Sequence, residues 1–141
     1  MDILLVEDNP ADMRLVREAL TEGGVGAQLH WVASGEAALA FLRRSGGDAG
    51  RPVPDLVLLD LNLQGMRGQE VLEEIKSDPA LKGIPVLILS SSSARRDVLD
   101  AYAAHANSYL VKPDDFDQFL ALVGILRAYW LSAVLLPSQA G

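Results

Sequence analysis

Cysteine is absent, which excludes disulfides, thiolate metal sites and thiol nucleophiles. Histidine occurs twice, at His30 and His105, too few and too scattered for a zinc site. Basic residues are outnumbered 12 to 19 by acids, and a net charge of −7 offers no footprint for nucleic acid, which needs a basic patch. There is no basic leader: Ile3-Leu4-Leu5-Val6 follows directly on Asp2, unlike a signal peptide. No uninterrupted apolar run approaches the ~20 residues that a membrane span needs. Internal repeats and low-complexity stretches are also lacking. These absences leave a cytoplasmic chain, working away from nucleic acid and membrane, as the expectation.

What is present is a chain of 141 residues, half of them apolar, enough for one compact core. Short apolar runs alternate with helical periodicity. The runs Asp2 to Val6, Gln28 to Val32, Leu56 to Leu59, Ile84 to Leu89 and Ser108 to Val111 read as strands. The third is apolar throughout and should be buried on both faces, as central parallel strands are. Asn9 and Pro10 mark the start of a first helix, and Gly23-Gly24 its end. Ser34 is placed to cap a second helix, with Phe41 and Leu42 inward. A third carries Val71, Leu72 and Ile75, and a fourth covers about 95–104. A fifth runs from near Asp114-Asp115 to about Leu131. Residues 45–54, rich in Gly and Pro, read as a surface loop.

Five strands alternating with five helices imply an α/β fold, a doubly wound parallel sheet of flavodoxin-like order 2-1-3-4-5. In that order the ligand site lies beyond the carboxyl ends of strands one and three. The polar residues fall there: Glu7-Asp8, Asp60, Ser90 and Lys112 each end a strand. Three carboxylates in one pocket repel one another, and a hard divalent ion such as Mg²⁺ resolves the conflict. With the ion present, one carboxylate can attack phosphorus while an ammonium and a hydroxyl meet the phosphoryl oxygens. The pattern points to phosphoryl transfer onto a carboxylate.

The segments Leu4 to Asn9, Leu58 to Asn62, Leu87 to Ser91 and Tyr109 to Pro113 resemble the four signature segments of CheY-like receiver domains, over about residues 1–126. The intervals match as well: Ser90 lies 30 positions after Asp60, and Lys112 lies 52 after it. The resemblance implies that Asp60 is the phosphoacceptor, and that Mg²⁺ is held by Glu7, Asp8, Asp60 and the backbone carbonyl of Asn62. It further implies that Lys112 contacts the phosphoryl group, that Ser90 and Tyr109 form the switch, and that the Lys112-Pro113 peptide is cis. The family often has Thr where Ser90 stands, and a proline where Gln64 stands. A histidine kinase would supply the phosphoryl group. Phosphorylation would be read on the face of helix four, strand five and helix five.

Tyr129-Trp130-Leu131-Ser132 and Val134-Leu135-Leu136-Pro137, with the insertion at 45–54, resemble the single-domain response regulators of bacterial and cyanobacterial phytochromes. That implies a receiver domain over 1–131, a tail over 132–141 and a phytochrome-type kinase as partner. The last helix is apolar nearly all round, more than one sheet can cover. Phe116, Leu120, Val123, Leu126 and Trp130 could face the sheet. A homodimer is therefore expected through the helix and tail, using Phe119, Leu122, Tyr129, Trp130, Leu135 and Leu136.

Two other functions compete. A small Mg²⁺-dependent phosphatase would use the same aspartyl-phosphate chemistry with steady turnover. Such phosphatases resemble one another in a second Asp two residues after the nucleophile, where this chain has Asn62. A flavin or nucleotide binder needs a Gly-, Ser- or Thr-rich phosphate cradle after strand one. The acidic 7–12 segment would repel phosphate instead. The reading is of a phosphoacceptor, not a turnover enzyme.

Overall fold

The computed structural model describes residues 1–44 and 52–140. Most of the expected loop at 45–54 lies outside the described residues. The element order is β1 (Asp2–Val6), α1 (Pro10–Glu22), β2 (Gln28–Val32), α2 (Gly35–Arg44), β3 (Leu56–Leu59), α3 (Gly68–Ser77), β4 (Val86–Ser90), α4 (Arg95–Ala103), β5 (Ser108–Val111) and α5 (Phe116–Ala128). A single π-helical turn over Tyr129–Ala133 and a 3-10 turn over Pro137–Gln139 follow.

All strand pairings are parallel, in the expected order β2-β1-β3-β4-β5. β3 and β4 are buried at every position because helices cover both faces. The two-residue strand period divides the core cleanly. Leu4, Val6, Val57, Leu59, Val86 and Ile88 face α2, α3 and Ala101 of α4. Ile3, Leu5, Leu56, Leu58, Leu87 and Leu89 face α1 and α5. Each such side chain, fully buried, stabilises the fold by about 1.5–3 kcal/mol.

Caps set the helix starts. Asn9 accepts from the Ala11 and Asp12 amides, Ser34 from Ala37, and Asp115 from Gln118. Arg127 of α5 donates to the Gly23 carbonyl, placing a cation at the negative end of α1.

α5 and the tail differ from expectation. Phe119, with Val123 and Leu126, is the buried stripe, and Leu120 lies only at its edge. From Phe116 the helix carries position 119 under the sheet and position 120 beyond it, so the i+3 neighbour and not the i+4 neighbour continues the core. Leu136 is fully buried, because the tail folds back. The Ser138 hydroxyl donates to the Asp55 carboxylate, which also accepts the Asp2 amide. Neither Phe119 nor Leu136 is therefore available to a partner. Leu122 and Trp130 are partly buried against the same core, while Ile125, Tyr129 and Leu135 are 64%, 57% and 71% exposed. Reading uninterrupted runs also missed a longer feature. The helical stretch Phe116–Gln139 is long and apolar enough, by length and composition, to cross a membrane, and only 22% of its most apolar 18 residues is buried.

Candidate functional site

The acids arrive from the ends of two neighbouring strands. β1 delivers Glu7 and Asp8 as it leaves the sheet, and Trp31 of β2 donates its indole N–H to the Glu7 carbonyl at 2.7 Å. β3 delivers Asp60, whose amide continues the parallel ladder onto the Val6 carbonyl. Oxygens of Glu7, Asp8 and Asp60 lie within 4.8 Å of one another. Glu7 and Asp60 are 1% and 4% exposed, and Asp8 is half-buried.

Lys112 leaves β5 with its amide on the Ser90 carbonyl at 2.7 Å. Its ammonium donates to Glu7 Oε1 at 2.5 Å, Asp60 Oδ2 at 3.1 Å and Asp12 Oδ2 at 3.1 Å. The expected cis peptide at Lys112-Pro113 is not found; the bond is trans. The lysine is aimed instead by its amide anchor and the three carboxylates. Asp12, in the first turn of α1, was not foreseen as a member of this group. Its signal was an acid at a helix N-terminus one turn past the Glu7-Asp8 pair, a position the helix dipole alone explains.

Burial opposes the charge on Lys112. The hydrogen bond to Glu7 and the charges of Asp60 and Glu7 outweigh it and raise the pKa above the usual lysine value. Glu7 moves from 4.5 to about 7, chiefly by burial, then by its hydrogen bond to Asp60, with Lys112 pulling the other way. A carboxyl raised in this way contributes stability that is whole below about pH 4.5 and lost as pH rises through about 7. The raised Lys112 contributes equally across that window, which lies below the range in which a lysine titrates. Urea unfolding in EDTA should thus lose up to about 3 kcal/mol between about pH 5 and about pH 8, and Glu7→Gln should flatten that slope.

Ser90 is wholly buried, and its hydroxyl oxygen accepts the Ser92 amide at 3.1 Å. Ser92 in turn donates to Asp97 in the first turn of α4 at 2.5 Å, and its carbonyl accepts the Tyr109 hydroxyl at 2.8 Å. The two expected switch residues are thus joined through Ser92. Asn62 donates its amide to Asp60 Oδ1 at 3.0 Å, and its side chain points to Ser91.

α3 begins against the site. A Cβ at Gly68 would lie 2.2 Å from the Asp60 carbonyl oxygen and 2.5 Å from Leu61 Cα. Gly68→Ala must therefore push α3 or Asp60 aside, and should cost about 1–3 kcal/mol in thermal or urea unfolding.

A family model for the response regulator receiver domain matches residues 3–124. The chain belongs to the response regulator receiver family. This receiver is 43% identical over 136 residues to response regulator Rcp1 of Synechocystis sp., covering 96% of this chain and 92% of Rcp1. It is 43% identical over 138 residues to the probable methanogenesis regulatory protein FilR2 of Methanothrix harundinacea, covering 98% of this chain and 88% of FilR2. Among solved structures, it superposes on the phosphorylated cyanobacterial phytochrome response regulator RcpA with a TM-score of 0.89, at 46% identity over 96% of this chain and 97% of the other. The Mn²⁺-bound form of Rcp1 gives a TM-score of 0.87. Receivers bind a divalent ion, and the donor set here fits one. Three carboxylates within reach of one another, two of them buried, carry more negative charge than the single ammonium of Lys112 balances.

Proposed function

We propose that this receiver accepts a phosphoryl group on Asp60 from a histidine kinase, with Mg²⁺ held by Glu7, Asp8, Asp60 and the Asn62 backbone carbonyl. The observation that carries this is the convergence on one ammonium of carboxylates from β1 and β3. In the transfer, an Asp60 oxygen forms the new O–P bond as the P–N bond of the donor phosphohistidine breaks. The metal, when bound, supplies charge neutralisation at the phosphoryl oxygens. Lys112 neutralises more of that charge. The Ser90 hydroxyl, whose oxygen accepts the Ser92 amide, donates its proton to a phosphoryl oxygen, and Tyr109 follows through Ser92. The face of α4, β5 and α5 then changes its contacts. A cytoplasmic location suits such a donor.

The kinase is read as phytochrome-type, because the phytochrome response regulator RcpA matches over nearly its whole length. FilR2 matches as well by identity, so the test is phosphoryl transfer from a labelled phytochrome-type kinase, wild type against Asp60→Asn. Transfer to wild type alone supports the reading; no transfer to wild type contradicts it. The phosphatase alternative is disfavoured by Asn62, which has no acid to offer a leaving group and whose side chain turns to Ser91.

A homodimer is supported by the exposed apolar side of α5 and its extension, which loses the expected Phe119 and Leu136, keeps Tyr129 and Leu135 with Leu122 and Trp130 at the margin, and adds Ile125. Sedimentation at micromolar concentration should show a dimer that Ile125→Arg converts to monomer. A wild type that stays monomeric, phosphorylated or not, contradicts it.

A further inference from the structure

We infer that Asp12 is a positioning residue for Lys112, holding its ammonium beside Asp60 during phosphoryl transfer; this rests on the reading of Asp60 as the phosphoacceptor. Lys112 donates to three carboxylates, and the three are not alike. Glu7 and Asp60 belong to the group of acids whose oxygens fit a divalent ion, and Asp60 also supplies the oxygen that attacks phosphorus. Asp12 stands outside that group. With Glu7 turned to an ion and Asp60 esterified, Asp12 is the carboxylate of the three that Lys112 keeps.

The backbone of Asp12 is fixed independently of the lysine. Asn9 accepts the Ala11 and Asp12 amides at 2.9 and 3.4 Å, and Pro10 stiffens the same turn of α1. From that turn the Asp12 carboxylate reaches the Lys112 ammonium at 3.1 Å. Its side chain is 39% exposed, against 2% and 6% for Glu7 and Asp60, so it meets the lysine from the solvent side. A lysine is a point charge on a flexible stem, and its direction depends on what it is anchored to. An acid in the first turn also answers the helix dipole, but that role needs no lysine and sets no rate.

A double-mutant cycle tests this, with the rate of labelling by acetyl phosphate and Mg²⁺ as the readout. Asp12→Asn keeps the size of the side chain and removes its charge. It should slow labelling about tenfold, the scale of a misplaced catalytic group. In a Lys112→Met background the same substitution should change the rate by less than about twofold, because the group it positions is gone. An effect through the helix or through the other acids would instead slow both backgrounds alike. A second arm needs no phosphodonor. With saturating Mg²⁺, the ¹⁵N NMR signal of the Lys112 ammonium should be observable in wild type and lost to solvent exchange in Asp12→Asn. Labelling of Asp12→Asn at the wild-type rate, equal slowing in both backgrounds, or an unchanged ammonium signal overturns the inference. A wild type that takes no label defeats the phosphoacceptor reading instead, and the ammonium signal then decides on Asp12 alone.

Discussion

Asp60→Asn abolishes labelling of the protein by acetyl phosphate. Four carboxylates surround the site, and their surroundings differ enough to choose among them. Glu7 is buried under the Lys112 ammonium, which donates to its Oε1 at 2.5 Å, and it is one of the acids that would hold the metal. Asp8 and Asp12 project from the β1–α1 turn and the first turn of α1, at the site's margin. Asp60 ends the central strand, between the strands that supply Glu7 and Ser90. Its oxygens accept Lys112 and the Asn62 amide, donors that remain to steady the acyl phosphate once it forms. Asparagine keeps the shape but offers phosphorus no anionic oxygen, so the expected loss is complete. Gel autoradiography checks it, and retained labelling would mean that another residue accepts.

Lys112→Met has the second-largest effect, with two separable parts. Phosphorylation by acetyl phosphate should slow by about 10²–10³-fold, the usual result of removing one preorganised donor to developing charge. The metal-free protein should also lose about 3 kcal/mol or more, because Glu7 and Asp60 keep their burial and lose their counter-ion. Mg²⁺ should recover part of the stability and little of the rate, since it replaces the charge at the acids but not the ammonium at the phosphoryl group. Chevron or urea measurements with and without Mg²⁺ separate the parts. A rate within about tenfold of wild type would remove Lys112 from the transfer.

The sheet was legible because a buried parallel strand leaves a distinct trace, a short unbroken run such as Leu56 to Leu59 ending in a polar residue. Alternation with helices implied a doubly wound parallel sheet, and its flavodoxin-like order put Glu7, Asp8, Asp60, Ser90 and Lys112 at one edge. Less legible were contacts that depend on where a helix or loop comes to rest. Asp12 reaches Lys112 because α1 starts beside β5's exit, 100 residues away in sequence. The Gln64 backbone amide donates to Asp8 Oδ2, and no side-chain pattern reports a backbone donor. The face of α5 was misjudged because a helix apolar all round has no contrast to read. Phe119 and Leu120 are equally hydrophobic, and only packing against α1 tells them apart. Leu136 was assigned to a dimer interface since nothing local indicates that the chain turns back towards Asp55.

The most direct test locates the phosphoryl group itself. After acetyl phosphate and Mg²⁺, borohydride cleaves an acyl phosphate and converts the aspartate that carried it to homoserine, which peptide mass spectrometry assigns to one position. Homoserine at position 60 is the expected result. Homoserine at 8 or 12, or a reduced glutamate at 7, would contradict the claim that the acid at the centre of the sheet receives the phosphoryl group.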